Sequence, residues 1–251
     1  MRLLTGPAES IGRAWLDAAL DLVFPASCPV CEAPLGAGRR DPLCGHCWTT
    51  IPRVTPPWCD HCGLAFPTFG PAATLAALCQ PCAAEPPAFA WARSAAHYDG
   101  PVRTALHAFK FGGRRTLARP LAELIVETLD AHLPRDVDVL VPVPLAPARE
   151  KERGFNQAAL LAERLGERLR VPARDSWLSR TRATAPQTEL GAAERRANVR
   201  GAFRAVATAR GRHAVVVDDV LTTGATAAEC ARALLAAGAR RVGVITVARV
   251  A

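Results

Sequence analysis

The chain has 251 residues, half of them apolar, enough for one α/β domain and a small accessory module. Charges interrupt every apolar segment before it reaches the roughly 18 residues of a membrane span, and residues 1–23 lack the continuous apolar stretch and cleavage site of a secretory signal, so a cytoplasmic protein with no membrane insertion is expected. The net charge of +8, carried by arginine except for Lys110 and Lys151, suits a polyanionic ligand such as pyrophosphate or nucleic acid; spread along the chain, it reads equally as a compositional bias.

In chain order, Ser10 to Val23 carries apolar residues at helical spacing, with Ser10 as N-cap and Pro25 as stop, which predicts an N-terminal amphipathic helix in a segment spanning 1–25. Residues 26–86 are rich in Pro and Gly and hold four Cys-x-x-Cys pairs: Cys28/Cys31, Cys44/Cys47, Cys59/Cys62 and Cys79/Cys82. Each pair aims two thiolates at one point, and tetrahedral zinc needs two pairs. The intervals of 12 and 16 residues within successive couples are near zinc-ribbon spacing. Sequential pairing puts Cys28, Cys31, Cys44 and Cys47 on one zinc and Cys59, Cys62, Cys79 and Cys82 on a second; a cross-braced arrangement fits the spacing as well. A disulfide framework or an iron–sulfur cluster fits it less well. The module has too little apolar sequence for a core of its own, so metal must supply its stability. Cys230 falls in a later helix and reads as a packing residue.

From residue 87 the pattern changes to an α/β alternation ending at 251. Strands are expected at Trp91–Tyr98, Val137–Val143, Ser176–Leu178, Ala202–Val206, His213–Asp218 and Arg241–Val250, and helices at Val102–Phe109, Leu117–Leu133, Phe155–Leu169 and Ala225–Ala237. The segment Thr181–Arg200 is polar and aperiodic. Helices alternating with apolar strands imply a parallel sheet flanked by helices.

The stretch from Val215 to Thr226 carries the most chemistry. Three consecutive valines suit a strand buried on both faces, and Asp218 and Asp219 follow where open α/β sheets place ligands. Thr222, Thr223, Gly224, Ala225 and Thr226 then offer hydroxyls and backbone N–H groups at a helix N-terminus, a phosphate site. Acids beside a phosphate cradle point to vicinal hydroxyls plus a phosphate, as on a ribose 5-phosphate.

That string resembles the phosphoribosyl pyrophosphate (PRPP) motif of type I phosphoribosyltransferases. With the cysteine module, Phe109-Lys110-Phe111, Val141-Pro142-Val143-Pro144-Leu145 and Arg153-Gly154-Phe155-Asn156-Gln157, the whole chain resembles the ComF/GntX family: a double zinc ribbon fused to a type I phosphoribosyltransferase domain and associated with DNA uptake in competent bacteria. The resemblance implies magnesium-bound PRPP as ligand. Asp218 and Asp219 would take the ribose hydroxyls, the 222–226 loop the 5′-phosphate, and Pro144, Arg149 and Arg153 the pyrophosphate. Arg195 and Arg196, in the place of the superfamily's closing loop, would serve the transition state. Purine-salvage relatives carry an acid where this chain has Thr222, and orotate-type relatives a lysine where its closing loop has only arginines, so neither familiar base class is indicated as acceptor. A non-catalytic PRPP or nucleotide sensor, and a zinc-ribbon factor handling single-stranded DNA or meeting DNA-uptake proteins, stand as alternatives to the enzyme.

Overall fold

The computed structural model describes residues 26–36, 42–66, 78–182 and 192–250. The helix expected at residues 10–23 lies outside them. Described elements, in chain order, are α1 (Gly45–Thr49), α2 (Gln80–Ala84), β1 (Trp91–His97), α3 (Gly100–Phe111), α4 (Ala118–Leu129), β2 (Val139–Pro142), α5 (Pro147–Arg153), α6 (Gln157–Leu169), β3 (Leu178–Arg180), α7 (Ala192–Val199), β4 (Phe203–Ala205), β5 (His213–Leu221), α8 (Ala225–Ala236) and β6 (Arg241–Arg249).

Four strands form a parallel sheet in the order β1-β6-β5-β2. The alternation of β5 sorts the layers. Val215 and Val217 pack with α3, α4 and α6 through Leu106, Leu121 and Leu161, while Ala214 and Val216 face the other way onto Cys230, Ala231 and Leu234 of α8. Near-continuous valine is thus the mark of a strand covered on both sides. An antiparallel ribbon, β3–β4, joins α8 on the second face.

Two helices depart from expectation. α5 begins at Pro147 and ends at Gly154, whose φ of +74° suits the residue after a helix. It is about two charged turns with no buried residue, so it carries no periodic apolar signal. α7 lies in the segment read as aperiodic, and alanines and arginines form it without an apolar stripe. β5 is also longer than expected. It runs on through both aspartates to Leu221, whereas β2 stops opposite Val217, so the acids stand on an overhang beside an open crevice.

The cysteine module closes the free edge of the sheet. Val54 N–H donates to Ala95 O at 2.9 Å, His97 N–H to Pro52 O at 2.8 Å and Ala92 N–H to His61 O at 2.6 Å, so β1 is not left as a bare edge. The first cysteine group shares the α/β core, since Cys28, Leu35, Leu43, Cys47 and Ile51 pack with the helices of the first face. The second forms a small cluster with Leu64 and Phe66.

Candidate ligand site and metal centres

At the C-terminal end of the sheet lies a cavity of about 590 Å³. Its floor is the overhang of β5, where Asp218 is half-buried and Asp219 is 7% exposed. Asp218 Oδ1 accepts from the Asp219 N–H at 2.8 Å. α3 brings Lys110 to the site, with Nζ 2.7 Å from Asp219 Oδ2. Burial pushes the Asp218 carboxyl up to about 6 against the pull of Lys110 and Arg180. Burial likewise lowers the Lys110 ammonium to about 8; the Asp218 charge resists this fall, and Arg153 and Arg149 add to it.

One wall is the start of α8. Gly224 is its N-cap at φ +75°, a left-handed conformation that favours glycine. Thr222, Gly224, Ala225 and Thr226 line the cavity. Thr223 does not; its hydroxyl accepts from the Ala225 N–H at 3.4 Å and braces the turn. The positive end of the helix therefore faces the cavity, where it favours an anion.

The opposite wall is α5 and the start of α6. Pro144, Arg149 and Arg153 line it, the two arginines four residues apart on one face. Arg153 Nη1 donates to Gln157 Oε1 at 3.0 Å, and its guanidinium lies over the Phe111 ring at 4.8 Å. The Gly154-Phe155-Asn156-Gln157 signature divides its labour. Phe155 is buried against Phe109, and Asn156 caps α6 by accepting from Ala158 N–H at 3.0 Å while donating to Val143 O at 3.0 Å. Asn156 and Gln157 also line the cavity.

Of the basic residues that follow Phe109, the structure brings Lys110 to the acids, while Arg115 instead bonds Gly154 O. Tyr98, Phe111 and Arg180 also line the cavity. Arg180 had one signal, its place at the head of an arginine-rich segment; β3 presents it, with its guanidinium over Phe203 at 5.3 Å. Arg195 and Arg196 belong to α7, and their side chains lie outside the described residues.

The eight paired cysteines gather into two groups, Cys28/Cys31/Cys44/Cys47 and Cys59/Cys62/Cys79/Cys82, the sulfurs within each lying within 4.8 Å of one another. This is the sequential arrangement, not the cross-braced one. Cys31 and Cys44 sulfurs are 3.6 Å apart, as are those of Cys62 and Cys79. A zinc tetrahedron with bonds of about 2.3 Å has edges of about 3.8 Å, so the groups fit zinc, and a disulfide at about 2.05 Å is excluded. The knuckle N–H groups of Cys47 and Cys79 point at Cys44 and Cys59 sulfurs at 3.4 and 3.3 Å, as thiolate ligands require. Cys230 is buried in α8, away from both groups.

The double zinc ribbon family model matches residues 19–83, and the phosphoribosyl transferase domain model matches residues 115–251. The DNA utilization protein YhgH of Escherichia coli is 37% identical over 227 residues, covering 89% of this chain and 96% of that protein. The chain belongs to the ComF family. Competence protein F of Haemophilus influenzae is 30% identical to this ComF-family chain over 90% of it and 98% of the relative. Competence protein ComFC of Bacillus subtilis is 32% identical over 58% of each. A solved glutamine PRPP amidotransferase from B. subtilis aligns with a TM-score of 0.34 at 24% identity, covering 53% of this ComF-family chain and 26% of that one. Among the described residues no helix is long and apolar enough to cross a membrane.

Proposed function

We propose that the cavity binds magnesium-bound PRPP and that the protein transfers its phosphoribosyl group to an acceptor. The observation that carries this reading is the meeting of three chemistries in one cavity: two carboxylates on β5, the N-terminus of α8, and the cations Lys110, Arg149 and Arg153. Asp218 and Asp219 accept from the ribose hydroxyls. The α8 turn holds the 5′-phosphate. The bond from C1 to the pyrophosphate oxygen breaks, positive charge develops at C1, and the arginines of α5 neutralise the departing pyrophosphate. Arg195 and Arg196 are proposed to close over that transition state. Magnesium supplies further positive charge to the leaving group, and Glu152 on the cavity wall is a hard oxygen donor that suits it. Positioning and electrostatics suffice for such a transfer, so no nucleophilic residue is required.

Isothermal titration with magnesium PRPP tests binding, and a screen for pyrophosphate release against bases and amines tests transfer. Binding with no release against any acceptor favours a sensor.

The names of the relatives and the net charge favour a second, compatible reading: handling of single-stranded DNA in DNA utilization. The tryptophans among the cysteines are poor stacking platforms, because Arg53 covers Trp48 at 5.5 Å and Arg93 covers Trp58 at 5.1 Å. DNA contact would then run through arginine and phosphate, with affinity falling steeply as salt rises in a fluorescence anisotropy titration.

A further inference from the structure

The second cysteine group is bound to the sheet through its own knuckle. Three successive carbonyls are taken by the α/β layer: Asp60 O accepts from Arg93 Nη1 at 3.1 Å, His61 O from Ala92 N–H at 2.6 Å, and Cys62 O from Arg249 Nη1 at 2.6 Å. Contact is close enough that a Cβ on Gly63 would lie 2.4 Å from Ala92 O.

Arg249 is the unusual partner. It ends β6 at 6% exposure, makes no ion pair with a carboxylate among the described residues, and leaves Nε buried without a partner. A buried guanidinium with no counter-charge is expensive. Arg93, half-buried on the same side, also has a buried unpartnered Nε; burial pulls its guanidinium down, and the charge of Asp60, then those of Cys59 and Cys62, oppose that fall. Four thiolates around a zinc ion carry a net charge of −2, which is the missing counter-charge.

The backbone of Arg249 reaches the ligand cavity. Its carbonyl accepts from the Tyr98 N–H at 2.7 Å, and it pairs in register with Leu221; Tyr98 and Leu221 both line the cavity.

We infer that Arg249 is a positioning residue of the ligand site, held in place by the charge of the metallated second cysteine centre, so that metal occupancy there and ligand binding at the crest of the sheet are coupled. The ligand half of this inference rests on the reading of the cavity as a PRPP site. Without metal the Cys59–Cys62 knuckle loses its anchor, and with it the Cys62 carbonyl that accepts from Arg249; the guanidinium leaves its buried position and the rim formed by Tyr98 and Leu221 loosens. Coupling must be reciprocal, since each ligand's effect on the other's affinity is the same factor.

The test uses the full-length zinc-loaded protein, a chromophoric zinc chelator and calorimetry with magnesium PRPP. Arg249→Met is expected to release one zinc at least tenfold faster, with the other zinc unchanged, and to bind magnesium PRPP about tenfold more weakly; Arg249→Lys, which keeps the charge, lies between it and the wild type. In the wild type, saturating magnesium PRPP is expected to slow release of that same zinc, a measurement that stands even if Arg249→Met does not fold. Unchanged zinc release in Arg249→Met, or faster release with PRPP affinity within twofold of the wild type, overturns the coupling. A wild type that does not bind magnesium PRPP at all defeats the reading of the cavity instead, and the zinc-release comparison still decides whether Arg249 serves the metal centre.

Discussion

Lys110 Nζ lies 2.7 Å from Asp219 Oδ2, joining the last turn of α3 to the overhang of β5 inside the cavity. The side chains are 21% and 10% exposed, so removing the cation strands a largely buried carboxylate. Fully buried pairs lose about 3–5 kcal/mol when one partner goes. Lys110 keeps some contact with water, and Lys110→Met is expected to cost about 2 kcal/mol in urea denaturation. The double variant Lys110→Met/Asp219→Asn should recover most of that loss, because no unpaired charge remains.

Asp218 on the cavity floor and Lys110 beside it set a pH window for ligand binding. Asp218 titrates at about 6, raised by burial, so PRPP affinity should climb as pH rises through 6 and the carboxylate becomes a charged acceptor. Lys110 titrates at about 8, lowered by burial, so affinity should fall as pH passes 8 and a cation is lost. The folded protein responds in the opposite sense at the acid limb: because Asp218 holds its proton longer folded than unfolded, stability falls as pH rises from about 4 to 6. Calorimetry across pH 5–9 checks the window. Asp218→Asn should lose the part of the acid limb that is not due to PRPP's own phosphates.

Gly224 opens α8 in a left-handed conformation. Crowding does not require glycine there, since a Cβ would meet Phe89 only at 3.8 Å, an ordinary contact. What demands glycine is φ of +75°. Gly224→Ala is therefore expected to destabilise the protein by about 1–2 kcal/mol through the backbone alone, measurable by denaturant midpoint.

The sequence exposes the centre of the site and hides its walls. Asp218, Asp219 and the 222–226 loop sit in consecutive positions between a valine run and a helix, so local pattern suffices for them. Arg149 and Arg153 were visible as charges, but α5, which sets them on one face, buries nothing and leaves no apolar period. Lys110 and Arg180 reach the cavity from α3 and β3 and Tyr98 from the bend just after β1, and only tertiary packing brings those elements to one end of the sheet. The cysteine spacing allowed two pairings, and the positions of the sulfurs select the sequential one.

The metal centres make a prediction about the sheet as well as about metal. Elemental analysis should find two zinc ions per chain, one after Cys59→Ser and two after Cys230→Ser. The module depends on metal for its stability, and its hydrogen bonds to β1 carry that dependence into the sheet: chelation should strip hydrogen-exchange protection from the Ala92 and His97 amides, whose acceptors are His61 O and Pro52 O. Retained protection at both amides would show that the edge of β1 holds without the module.

Calorimetric titration of the wild type and of Asp219→Asn with magnesium PRPP tests the central claim most directly. The account predicts a single site in the wild type, weakened by about 1–3 kcal/mol in the variant, because an amide replaces a charge-assisted acceptor for a ribose hydroxyl. No heat and no thermal stabilisation from saturating magnesium PRPP in the wild type, or equal affinity in Asp219→Asn, would contradict it.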